Sequence, residues 1–399
     1  MPVVELAVIV LLICSASLAL TTALSVAMRT TGGLAARRLG TYRAAVSAQL
    51  TSFLVGAEDE PPPSPRGRMQ QSVMRDLMLS VGSNLRGEAA ERAAALFRMY
   101  GLVDPARRDL RARQSLTRIR AAEALGAMGV QDAVPWLQEG LVHEDHQLRF
   151  ACSRSLSALG AVGMVADVDA ALGEDESALG ERIEVLVGFG PASIPHLIGH
   201  LAEDRSSRQR WLAAEALGEL RAAEAVPALV RALDADDDEF AARGARALGR
   251  IGEGSSASAL ARTVASERPW FVRAAATTAL GAVGGPHAAE MLVNALSAER
   301  WEIRDAAARG LVASDDHGID AMTARMDTLE DDAVAHFVGA CDVTGQLDRI
   351  IARAADGDPG CDALVRRALR AGSSAALERL AAQDDAVGSY AAAVLSEGR

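Results

Sequence analysis

From about residue 115 the apolar positions of the chain recur in one phase. A leucine stands near the end of a run of helix formers at positions 125, 156, 186, 217, 248, 280 and 311, at intervals of 30 to 32 residues. Behind each leucine comes a second segment with apolar residues at i, i+3 and i+7: Val134/Leu137/Leu141, Val165/Val168/Leu172, Ile194/Leu197/Leu201, Val226/Leu229/Leu233, Ala257/Leu260/Val264, Ala289/Leu292/Leu296 and Ile319/Met322/Met326. This is helical spacing, so each period of about 31 residues predicts a helical hairpin. One hairpin has too small an apolar face to bury alone, and stacking successive hairpins makes a continuous core. Pro135, Pro195 and Pro227 fall at the start of the second helix, where a missing N–H is tolerated. Gly126, Gly218, Gly249 and Gly281 directly follow a marker leucine and predict helix C-caps.

The pattern differs at the N-terminus. Leu6 to Met28 is an uncharged apolar run of 23 residues, long enough to cross a bilayer as one helix. No basic residue precedes it, whereas Arg29, Arg37, Arg38 and Arg43 follow, so the positive-inside rule puts the C-terminal body in the cytoplasm. A cleaved signal peptide ending at Ser25-Val26-Ala27 is the rival reading. Residues 29–57 form a basic juxtamembrane amphipathic segment suited to an anionic leaflet. Residues 58–68, with Pro61-Pro62-Pro63-Ser64-Pro65, form a semi-rigid linker. Beyond them, 69–114 are degenerate first repeats, 115–330 the regular repeats and 331–399 degenerate capping repeats.

Composition agrees with an all-α chain. There are 81 alanines and 4% aromatics, and the 41 basic residues are all arginine, a usage that suggests a high-GC bacterial genome. Residues 29–120 carry a net +8 and residues 121–399 a net −19. An acidic body argues against nucleic acid as a partner, because binding it needs a basic footprint. Cys14, Cys152, Cys341 and Cys361 are scattered without a CxxC, which fits reduced thiols.

The segments RIRAAEALG, RWLAAEALG, GARALG and VRAAATTALG, each followed by a short turn and an AVPAL-x-x-AL-type helix, resemble HEAT repeats. They are most similar to the short HEAT-like units named after phycocyanobilin lyases. The resemblance implies an α-solenoid (superhelix) of stacked hairpins that serves as a protein-binding scaffold. It also leaves open a bilin lyase-like or other HEAT-fold enzyme or chaperone. HEAT-repeat di-iron hydroxylases use repeated His-Glu dyads, and His143-Glu144 is the only such dyad here.

Candidate chemistry is sparse. Arg118, Arg149, Arg210, Arg273 and Arg304 stand seven residues before their marker leucines, a ladder that such repeats use to tie units together. Acids in the turns, such as Asp145, Asp204, Glu267 and Glu299, lie within reach in sequence as its partners. Trp270 and Trp301 occupy equivalent places 31 residues apart and form the candidate protein-binding patch. His196/His200 and His143/His146 have spacings that can bring two rings to one metal, but no set of matching ligands is visible. No phosphate loop, dinucleotide fingerprint or nucleophile elbow is present. The acidic run Asp234–Glu239 lacks the glycine and distal glutamate of an EF-hand and reads as a helix-capping turn. The expectation is a non-enzymatic, membrane-anchored scaffold or adaptor without metal or cofactor. It would be single-pass in a bacterial cytoplasmic (inner) membrane, with its N-terminus outside and its repeats facing a protein partner near the membrane. An exported binding protein with a cleaved leader is the alternative.

Overall fold

The computed structural model describes residues 40–397 except 83–86, 174–178, 204, 371–373 and 384. The described residues are helices joined by turns and short 3-10 segments, with no strand among them. The chain divides into two compact units, 1–161 and 162–399. Unit 1 contains α1 (residues 40–54), α2 (Gly67–Gly82), α3 (Glu88–Met99), α4 (Val103–Asp109), α5 (Ser115–Ala127), α6 (Val134–Gly140) and α7 (His146–Ala158). Unit 2 starts with α8 (Val165–Leu172), α9 (Leu179–Gly188), α10 (Ile194–His200), α11 (Ser207–Glu219), α12 (Val226–Ala232) and α13 (Asp238–Ile251). It continues with α14 (Ala257–Ala265), α15 (Trp270–Val283), α16 (Gly285–Ala295), α17 (Trp301–Ala313) and α18 (Asp316–Ala324). It closes with α19 (Asp331–Thr344), α20 (Leu347–Ala355), α21 (Pro359–Arg370), α22 (Ser374–Leu380) and α23 (Ala386–Glu397).

The repeat register explains the packing. All seven marker leucines are completely buried, and every member of the seven apolar triplets is buried except the half-buried Val134. In unit 2 the first helices of successive hairpins pack in a row, α9 on α11, α11 on α13, α13 on α15, α15 on α17 and α17 on α19. The second helices α14, α16 and α18 pack on one another in the same way. Pro135, Pro195 and Pro227 sit in the first turn of α6, α10 and α12.

The glycines after the marker leucines do not cap helices. Gly126, Gly218, Gly249 and Gly281 all lie inside their helices, which end one or two residues later. Their role is close approach: a Cβ would come within 2.6 Å of Ser155 at Gly126, and within 2.9, 2.8 and 2.6 Å of the Cα of Ala247, Ala279 and Gly310 at the other three. Neighbouring first helices therefore meet backbone against backbone, with no room for a methyl group. True terminators stand further on, such as Gly252, which adopts the left-handed conformation at the end of α13.

The basic segment proposed to lie on a membrane surface forms α1 from residue 40. Its Val46, Leu50 and Leu54 share one helical face and are buried by protein. Arg92 donates to Phe53 O at 3.2 Å, and Tyr100 Oη donates to Pro62 O, so the Pro-rich stretch is held against α3 instead of standing free as a spacer. The candidate span at residues 6–28 lies outside the described residues. Among those described, no helix is long and apolar enough to cross a membrane.

Candidate functional site

Trp270 and Trp301 are the first residues of α15 and α17, adjacent helices in the unit 2 row. They are 45% and 60% exposed. Arg300 lies over the Trp270 ring at 5.1 Å from its centroid and pairs with Glu302 at 3.0 Å. Arg300 directly precedes Trp301, so the starts of the two helices carry an aromatic and arginine composition typical of binding hot spots.

The arginine ladder turns inward to the backbone. Arg118 Nη1 donates to Ala112 O at 3.1 Å, and Arg149 Nη1 donates to the carbonyls of His143 and Glu144 at 2.8 and 3.0 Å. Arg304 Nη1 does the same with Ala298 and Glu299, both at 2.8 Å, while Arg273 Nε reaches Val264 O at 2.9 Å. Arg210 differs: it lies 3.7 Å from Asp237 and 5.0 Å from the centre of the Phe240 ring. The carbonyls at Ala112, His143, Glu144, Ala298 and Glu299 belong to the turn that leads into a first helix, and Val264 O to the last turn of α14, so the guanidinium satisfies acceptors that the helices leave open. Asp145, one of the expected acidic partners, instead caps α7 through Gln147 N at 3.0 Å and accepts from Ser115 Oγ. Asp204 is outside the described residues.

The acidic run 234–239 supplies a cap, as its pattern suggests. Asp237 precedes α13 and accepts from Phe240 N at 3.0 Å and from Trp211 Nε1 at 3.1 Å.

A buried polar cluster in unit 2 involves two residues that the sequence did not mark. Asp169 of α8, Arg182 of α9 and His200 of α10 are 5%, 3% and 6% exposed, and His196 of α10 is half-buried at the edge of the group. Arg182 holds Asp169 Oδ1 through Nη2 at 2.7 Å and Nε at 3.2 Å. The other oxygen, Oδ2, faces His196 Nε2 at 3.1 Å and His200 Nε2 at 3.0 Å, and the two Nε2 atoms are 2.9 Å apart. Burial alone would raise the Asp169 pKa. The bonds from His196, His200 and Arg182 outweigh it and hold the carboxyl well below the usual range. His196 and His200 are the i, i+4 pair singled out by spacing; by contrast, His143 Nδ1 accepts from the Asp145 backbone N–H at 3.0 Å.

A signal for Asp169 and Arg182 exists in the repeats themselves. The register of Arg182 holds Ala121, Cys152, Ala213, Gly244, Ala276 and Ala307 in the other hairpins, all small and buried. The register of His200 holds Gly140, Ala171, Ala232, Thr263 and Ala295, with Arg325 only in the last. Asp169 stands where Ile198, Val230, Ala261 and Val293 stand elsewhere, with Gln138 and Thr323 in the first and last hairpins. Three normally small or apolar places are filled by groups that meet one another.

The described cysteines are buried. Burial pushes the thiols of Cys152, Cys341 and Cys361 up to about 12, so they stay protonated at neutral pH.

A family model described as HEAT repeats matches residues 103–186, 194–281 and 266–338. No curated protein matches the chain significantly. Among solved structures the chain is similar to human deoxyhypusine hydroxylase in complex with glycerol, at 16% identity over 71% of this chain and 99% of that one, with a TM-score of 0.29. It is similar to Kap121p bound to Pho4p at 13% identity and TM-score 0.41, over 88% of this chain and 51% of that chain, so it spans about half of Kap121p. It is also similar to the complex of CpcE and CpcF of phycocyanin lyase from Nostoc sp. PCC7120, at 23% identity and TM-score 0.25, over 68% of this chain and 97% of that one.

Proposed function

The chain belongs to the HEAT-repeat family, and on that premise we propose that it is a membrane-anchored scaffold that docks a protein partner on its repeats. The observation that carries this reading is the Trp270–Arg300–Trp301 patch. Two indoles stay exposed at equivalent helix starts, where burial would be the ordinary fate of so large an apolar group. Residues 6–28 supply the anchor, and a tether raises the local concentration of the repeats around a partner in the same membrane, so a modest interface suffices. The net −19 beyond residue 120 selects a protein surface over nucleic acid.

Crosslinking in native membranes tests the reading. The Trp270→Ala, Trp301→Ala double variant is expected to keep the wild-type circular dichroism spectrum and melting temperature while losing the major crosslinked partner. An unchanged partner set would reassign the two indoles to helix capping.

A further inference from the structure

We propose that Asp169 Oδ2, His196 Nε2 and His200 Nε2 form a facial three-ligand site for a divalent first-row transition-metal ion. The argument begins with protons. The three atoms make a triangle with edges of 2.9, 3.0 and 3.1 Å. If both imidazoles carry a hydrogen on Nε2, the nitrogen–nitrogen edge sets two donors against each other. If one Nε2 is bare, its edge to the carboxylate sets two lone pairs against each other. With the carboxylate ionised opposite Arg182, no choice of ring tautomer or ring protonation satisfies all three edges. A cation above the triangle satisfies them together, because each atom then turns a lone pair to it.

The size of the triangle selects the geometry. Bonds of about 2.1 Å give an octahedral face with edges of about 3.0 Å and a tetrahedral face with edges of about 3.4 Å. The observed edges fit the octahedral face, which leaves three further positions for water or a ligand. Two imidazoles and one carboxylate are the donor set of first-row transition metals, whereas calcium and magnesium prefer all-oxygen shells. Arg182 completes the arrangement as a positioning residue. By occupying Oδ1 it fixes the carboxylate so that Oδ2 alone points at the rings, and its charge further disfavours ions that depend on electrostatics alone. The substitutions that build the cluster fall in one place of the repeat array, at registers that in most other hairpins hold small or apolar residues.

The test is a titration of the full chain, stripped with a chelator, with Co2+ as the probe. The expected result is one bound equivalent with the weak visible absorption of a six-coordinate ion, together with a rise in melting temperature on loading. His196→Gln, at the solvent edge of the cluster, is expected to keep the unloaded circular dichroism spectrum. It should weaken binding by more than the roughly 10- to 100-fold that outer-shell changes bring. His143→Ala with His146→Ala should bind as the wild type does. A wild-type chain that takes up no Co2+, or a His196→Gln chain that binds with unchanged affinity, would overturn the site and leave the cluster as a hydrogen-bonded tie between α8, α9 and α10.

Discussion

Arg182 shows how one residue can invert the chemistry of a repeat. Its register elsewhere holds alanine, glycine or cysteine, and here a guanidinium is 3% exposed with Asp169 as its counter-charge. Removing one member of such a pair strands the other without water. Arg182→Ala is therefore expected to destabilise unit 2 by about 3–5 kcal/mol, read from urea denaturation of the metal-free chain. The double variant Asp169→Leu with Arg182→Met should lose less than the sum of the two single variants, because it leaves no orphaned charge. Spacing within one helix made His196 and His200 visible as candidates. Asp169 and Arg182 lie 27 and 14 residues before His196, and only stacking brings them to it. Comparing the hairpins position by position would have found the anomaly; reading each helix alone could not.

At the scale of the helix, the marker leucines and triplets were legible because burial imposes the same period on every hairpin. The glycines were misread, because a sequence shows where glycine is needed without showing which property of glycine is used. At Gly281 it is the missing methyl, since a Cβ would meet Gly310 Cα at 2.6 Å, backbone against backbone. Gly281→Ala is expected to destabilise by about 1–3 kcal/mol through overpacking. Gly339 in α19 has open space where its Cβ would be, and Gly339→Ala should stabilise by about 0.5–1 kcal/mol. Melting curves of the two variants, which carry the same chemical change, should move in opposite directions.

Caps act on the same scale. Burial raises the Asp237 pKa, but the Phe240 N–H, Ser207, Trp211 and Arg210 outweigh it and leave the carboxyl below its usual value. A carboxylate depressed in the folded state adds stability above its unfolded pKa of about 3.9 and loses it as the pH falls through the folded value. Asp237→Ala is expected to cost about 0.5–2 kcal/mol at pH 7. The gap between variant and wild type should narrow below about pH 4, as denaturation at several pH values would show.

At the scale of the whole molecule, charge was more informative than its total. The division into +8 over residues 29–120 and −19 beyond is what orients the chain in the proposed reading, since basic residues retained beside an apolar run mark the cytoplasmic side. A reporter fused after residue 399 should accordingly be active only in its cytoplasmic form, and the mature chain should keep its N-terminal apolar run. The basic stretch proved harder to read. Its helical face at Val46, Leu50 and Leu54 fits a membrane surface or a protein surface equally well in sequence, and in the structure it is protein that covers it.

The cluster at Asp169, Arg182, His196 and His200 also bears on how this gene can change length. Repeat arrays grow and shrink by gain or loss of whole units, which works where neighbouring units are interchangeable. Hairpins that meet through glycine and alanine can be spliced to one another with little loss. Between α8 and α10 the parts are matched instead: excising or inserting a unit there would leave a buried carboxylate facing alanine. That junction is therefore expected to be a fixed point of the array, with length variation confined to either side of it.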